Sequence, residues 1–164
     1  MFSYIFIVNV KYDVRDIGKY LVPTYRLVLV KLNEPEVFQL DFRNQLIIIK
    51  NSGKLLKNTC MPKNDVTEDQ VKDIDQGKFI EDKKVMCYIA CIYSMGQVIK
   101  NNKIIHDAMI KQVDMMFPPE IKDAVKASIV KCKGVAKNYK DICEASFWTA
   151  KCLYEANPSN FMFP

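Results

Sequence analysis

The sequence predicts an all-α fold, a six-helix bundle held together by disulfides, on three observations. Apolar residues recur at helical spacing along most of residues 41–164. The chain of 164 residues has only 5 glycines, too few for the many turns of a large β-protein. Its 6 cysteines form an even count, which is typical of a disulfide framework. A single folded domain is expected, because this length leaves little room for a second.

Composition argues against several functional classes. The net charge of +5 comes from 24 Lys and Arg against 19 Asp and Glu, and the two signs are interspersed along the chain. Because the basic residues do not interleave with aromatic ones, no nucleic-acid partner is expected. With 1 histidine and no recognisable nucleophile or phosphate loop, we expect no enzyme, no metal site and no cofactor.

Residues 1–40 differ from the rest of the chain in their hydrophobic pattern. They contain two short apolar runs, at residues 2–10 and 20–32, and neither reaches the roughly 18 consecutive apolar residues of a membrane-spanning helix. No basic start or small-residue cleavage site marks a secretory signal. We therefore interpret residues 1–40 as a degenerate leader or an extra non-native segment, and residues 41–164 as the domain, without membrane insertion.

The first half of the domain is predicted to hold three helices. The first covers residues 41–56, with Gly53 bending it near its end. A capping box formed by Thr67 and Gln70 begins a short second helix, which Gly77 ends. The third covers residues 81–95 and ends at Gly96.

The second half is predicted to hold three more helices. The fourth covers residues 105–116 and is closed by Pro118 and Pro119, the second of which could instead open the next helix. The fifth covers residues 120–133. The sixth covers residues 141–156 and stops before Pro158.

The cysteine spacing restricts the possible disulfides without fixing them. It reads C-x26-C-x3-C-x40-C-x10-C-x8-C, and six cysteines allow 15 connectivities. Cys87 and Cys91 share a helix face, which favours two separate outside partners, whereas Cys143 and Cys152 lie on opposite faces of the sixth helix. The set 60–91, 87–143 and 132–152 meets both demands. The alternatives are a zinc site or a thiol-redox site, and the spacing favours neither.

This spacing, together with four short segments, resembles the six-cysteine insect odorant-binding proteins over residues 41–164. The segments are Met86 to Cys91, Phe117 to Glu120, Thr149 to Cys152, and the closing Asn160 to Pro164. The resemblance implies six helices around an apolar cavity and first-to-third, second-to-fifth and fourth-to-sixth disulfides, which are Cys60–Cys91, Cys87–Cys143 and Cys132–Cys152. It also implies secretion, carriage of small lipophilic ligands and no catalysis.

Candidate ligand contacts come from apolar stripes on the expected cavity side. Met86, Ile89, Tyr93 and Gly96 form one stripe on the third helix, away from the cysteine face, and the Tyr93 hydroxyl could orient a ligand. The alternative is that such residues are ordinary core. The predicted contacts are Leu56, Met86, Ile89, Tyr93, Gly96, Val98, Ile105, Met109, Ile129, Ser146, Ala150, Leu153, Phe161 and Phe163.

The final residues are predicted to cover the cavity. Phe161 and Phe163 alternate with polar or flexible residues, so an extended tail would present both rings on one side. We expect them to fold back as a lid; the alternative is a frayed terminus.

The predicted function is an extracellular carrier that reversibly binds small hydrophobic or volatile ligands, such as odorants or pheromones, and brings them through aqueous fluid to a chemosensory receptor. It is expected to act as a monomer or weak homodimer. The alternative is a secreted, disulfide-rich interaction or scavenger protein without an odour role.

Overall fold

The structure is a computed structural model that describes residues 42–164, with side chains from Leu46 onward. The interpretation of residues 1–40 lies outside the described residues and stays a prediction. Within the described part the chain forms six α-helices and one short hairpin, so the predicted all-α class is confirmed. In chain order the elements are α1 (Phe42–Asn64), α2 (Glu68–Val71), α3 (Lys83–Met95), β1 (Ile99–Lys100), β2 (Lys103–Ile104), α4 (His106–Met116), α5 (Pro119–Cys132) and α6 (Ile142–Ala156).

The first helix is longer than predicted. It passes through Gly53 and Pro62 and ends at Asn64, where Asp65 takes the left-handed conformation with φ 51°. Pro62 lies in the last turn and is exposed, so water can satisfy the carbonyl that loses its donor. Gly53 is tolerated because the Pro164 ring packs 3.3 Å from the place where a β-carbon would stand. Tertiary packing therefore outweighs the local helix-breaking signals.

Local capping explains the starts of α2, α3 and α6. The Thr67 backbone N–H donates to the Gln70 side-chain oxygen at 2.8 Å, as a capping box requires. Asp82 accepts hydrogen bonds from the first turn of α3, at 2.8 Å from the Lys84 N–H, which moves that helix start two residues past the predicted one. Asp141 caps α6 in the same way, accepting from the Glu144 N–H at 3.0 Å.

A hairpin between α3 and α4 was not predicted. Its strands pair Ile99 with Ile104 and Lys100 with Lys103 in antiparallel register. The two loop residues, Asn101 and Asn102, have φ of 50° and 56°. Positive φ at both positions is the geometry of a type I′ turn, which asparagine tolerates better than most residues.

Three disulfides join four of the helices, and they are the pairs that the family resemblance implies. Cys60–Cys91 links α1 to α3, Cys87–Cys143 links α3 to α6, and Cys132–Cys152 links α5 to α6. Helix α4 carries no cysteine. The bridges therefore fix the arrangement of α1, α3, α5 and α6.

The core lies mainly between α3 and α6. Tyr88, Ile89 and Phe147 are fully buried there, and the Phe79 ring meets the Phe147 ring edge-on at 5.6 Å between centroids. A second apolar cluster, which includes Met109 and Ile129, joins the hairpin, α4 and α5. The cavity described below lies against both clusters.

Gly77 gives a test of this packing. It has φ 86°, and an added β-carbon would stand 2.3 Å from the Tyr154 ring. The substitution Gly77→Ala is expected to lower the free energy of unfolding by about 1–3 kcal/mol, through left-handed strain and overpacking. Chemical denaturation measures the change. Gly134→Ala is the matched control, because nothing lies within 4 Å of its added β-carbon; equal stability of the two variants would contradict the prediction.

Candidate ligand-binding cavity

A cavity of about 600 Å³ lies among α1, the last turn of α3, α4, α5 and the C-terminal tail. This volume falls inside the range of roughly 300–1,000 Å³ that small-molecule sites occupy. The cavity is large enough for a guest molecule of modest size.

The inner walls of the cavity are apolar. Ile92 comes from α3, Met109 and Val113 from α4, and Ile129 from α5, while Val98 lies just before the hairpin. All five are buried. Because these side chains offer no hydrogen-bonding groups, they favour an apolar guest.

The C-terminal tail forms another wall. Phe161, Met162, Phe163 and Pro164 all line the cavity, and the two phenylalanine rings stack at 6.1 Å between centroids. The tail is tied to the core, since the Tyr88 hydroxyl donates a hydrogen bond of 3.1 Å to the Pro164 backbone oxygen.

Two polar side chains of the lining are already hydrogen-bonded to the backbone. The Ser128 hydroxyl donates to the Ala124 carbonyl at 3.1 Å, and the Gln112 amide donates to the Gly96 carbonyl. The Tyr93 hydroxyl has no hydrogen-bond partner among residues 42–164, and burial raises its pKa, so it stays protonated at neutral pH. Tyr93 is therefore the lining residue whose hydroxyl remains a candidate hydrogen-bond donor to a guest.

Comparison with known proteins identifies the family. A model of the PBP/GOBP family matches residues 46–156, about two thirds of the chain. The chain belongs to the PBP/GOBP family.

Named relatives of this PBP/GOBP chain agree with that assignment. General odorant-binding protein 72 of Anopheles gambiae is 30% identical over 116 residues, which cover 71% of this chain and 95% of the relative. General odorant-binding protein 19a of Drosophila melanogaster is 33% identical over 117 residues, covering 70% and 80%. The solved structure of odorant-binding protein 4 of Chrysopa pallens is 34% identical, with a TM-score of 0.65 over 72% of this chain and 97% of that one.

The PBP/GOBP chain shows no membrane span in its described part. Within residues 42–164, each helix is too short or too polar to cross a bilayer.

Nine of the fourteen predicted contact residues line the cavity. They come from five places in the fold: α1, the end of α3, the segments around α4, α5, and the last part of α6 with the tail. They are Leu56, Tyr93, Gly96, Val98, Met109, Ile129, Leu153, Phe161 and Phe163.

The other five predicted contacts lie outside the lining. Ile89 and Ala150 are fully buried in the core between α3 and α6, and Met86 packs against the same core. The Ser146 hydroxyl donates a hydrogen bond of 2.7 Å to the Ile142 carbonyl within α6, so it has no second proton to donate to a guest. Ile105 caps α4 on the hairpin side.

On α4, only Met109 was among the predicted contacts. Gln112, Val113 and Met116 also line the cavity, at i+3, i+4 and i+7 from Met109. That spacing is a helical stripe and could have been found from the sequence. On α1 the lining residues Ile49 and Gly53 were also absent from the predicted contacts, although both lie within the predicted helix.

The single histidine lies apart from the cavity. His106 is the first residue of α4, and it is not among the lining residues. Burial lowers its pKa, and the nearby Lys133 lowers it further. Both effects favour the neutral ring, so His106 is a poor proton sensor for a bound guest.

Proposed function

We propose that this chain reversibly carries small hydrophobic molecules through an aqueous fluid. The observation that carries the proposal is the 600 Å³ apolar cavity closed on one side by an aromatic tail. Membership of the PBP/GOBP family and the odorant-binding names of its relatives support it. We expect affinities of roughly micromolar order, because a small guest buries limited area.

The proposal extends to binding without catalysis. The lining side chains include one carboxylate, Asp75, and no histidine or free thiol. General acid–base chemistry usually needs a positioned pair of such groups. A non-covalent carrier needs only apolar walls and an orienting donor, and we propose Tyr93 as that donor.

We further propose that the carrier works outside the cell and delivers its guest to a chemosensory receptor, as a monomer or weak homodimer. Three disulfides are typical of proteins from oxidising compartments, which supports the extracellular setting. The predicted contact residues that line the cavity are proposed as its ligand contacts.

Filling the cavity should block binding. The substitution Val113→Phe adds volume to a buried cavity wall and is expected to weaken binding of a neutral fluorescent probe, N-phenyl-1-naphthylamine, about tenfold. Val130→Phe is the matched control, since Val130 is 66% exposed and outside the lining. Fluorescence titration measures both.

A failure of the native chain to bind the probe would contradict the carrier function. If a protein partner then co-purified with the chain from its source, the secreted interaction protein would become the better interpretation. Equal affinity of the native chain and Val113→Phe would instead show that the probe binds elsewhere.

A further inference from the structure

Helix α1 places a row of lysines along the cavity. Lys50, Lys54 and Lys57 all line it, at i, i+4 and i+7 of the same helix. Residues at this spacing share one helix face. The row therefore lies on the side of α1 that a guest would meet.

The charge of this row is only partly compensated. Lys57 pairs with Glu68, its Nζ lying 2.7 Å from the Oε1 of that carboxylate. Within residues 42–164, Lys50 and Lys54 form no ion pair, and both are exposed. Among the lining side chains there are three lysines and one carboxylate, Asp75, so the side chains contribute more positive than negative charge.

Apolar residues stand beside the lysines. Ile49, Gly53 and Leu56 of α1 also line the cavity, and the Pro164 ring packs on Gly53. Lysine side chains can cover apolar surface with their methylene stems while the ammonium groups stay in water. The cavity thus has an apolar interior and a cationic edge.

We propose that the natural guest is a long-chain carboxylate, a molecule with one apolar chain and one anionic end. Its chain occupies the space between α4, α5 and the tail, and its carboxylate lies at Lys50 and Lys54. A neutral guest of the same length has no charge to pair with the two ammonium groups. This inference rests on the proposed carrier function and deepens it by naming the ligand class.

The test compares two guests that differ only at the polar end. Displacement of N-phenyl-1-naphthylamine measures the affinity of tetradecanoate and of tetradecan-1-ol. Both guests are titrated into the native chain and into the double variant Lys50→Gln/Lys54→Gln, below the micelle concentration and at low salt. The variant is expected to bind tetradecanoate roughly five- to tenfold more weakly, and tetradecanol with unchanged affinity. Raising the salt concentration should shrink the difference, because exposed charges are screened.

A matched variant controls for net charge. Lys63→Gln/Lys131→Gln removes two charges from exposed positions outside the lining and should leave both affinities unchanged. An equal effect of the two double variants, or an equal loss for acid and alcohol, would overturn the carboxylate site. If the probe and the alcohol bind, but the affinity for tetradecanoate is the same in the native chain and in the Lys50→Gln/Lys54→Gln variant, the inference fails and the carrier function stands. If neither the probe nor the guests bind, the carrier function itself fails.

Discussion

Replacing Cys87 and Cys143 with serine is expected to lower the free energy of unfolding by about 2–5 kcal/mol. This bridge joins α3 to α6, the two helices that hold the core, and closes the longest loop of the three, at a sequence separation of 56. Without it the unfolded chain gains conformational freedom, and the core loses its covalent tie. Equilibrium unfolding in guanidinium chloride measures the loss.

The shorter bridge provides the comparison. Cys132–Cys152 has a sequence separation of 20, so the double serine variant at these positions should lose roughly 1 kcal/mol less in the chain-entropy account. Unfolding curves of the Cys87/Cys143 variant that coincide with those of the native protein would contradict a structural role for the longer bridge.

Removing residues 161–164 is expected to speed release of a neutral probe by roughly 30- to 100-fold, about 2–3 kcal/mol of lost retention. The four residues form one wall of the cavity, and the Phe163 ring also meets the Tyr88 and Tyr93 rings at 6.3 Å. Their loss opens the cavity to water and removes apolar contact with the guest. Stopped-flow displacement of the bound probe measures the rate.

Point variants distinguish an effect of the tail on ligand release from an effect on the stability of the whole fold. Phe163→Ala should show part of the effect, whereas Ser159→Ala changes an exposed residue of the same tail and should show none. Thermal unfolding of each variant shows whether the bundle is intact. An unchanged release rate in a folded truncated chain would exclude a lid.

The sequence predicted most closely those helix ends that local chemistry decides. Gly96 ends α3 as predicted, Pro119 opens α5 as in the alternative that the sequence left open, and Asp141, predicted as the first residue of the sixth helix, is its N-cap. The end of α1 could not be predicted in this way. Gly53 is harmless there because Pro164, distant in sequence, packs against it. Such long-range contacts leave no trace in the local pattern.

The candidate site was likewise predicted only in part from the sequence. The cysteine pattern and the closing aromatic segment led to the bridges and to the two tail phenylalanines that line the cavity. Periodicity alone identified a buried stripe on α3 but could not tell which neighbour covers each residue. Ile89 meets the core, whereas Tyr93, one helical turn later, reaches the cavity.

The distribution of the disulfides has a consequence for ligand range. The walls supplied by α1, α3, α5 and α6 belong to helices that are joined by disulfides. Helix α4 has no disulfide and is held by packing and by polar contacts, such as the Gln112 hydrogen bond to the Gly96 carbonyl and the Lys126–Asp114 ion pair. Its contribution includes Met109 and Met116, whose unbranched thioether chains adopt many shapes at little cost. When guests differ in size, α4 is therefore the wall that moves to fit them. The range of ligand sizes depends on the helix that no disulfide holds.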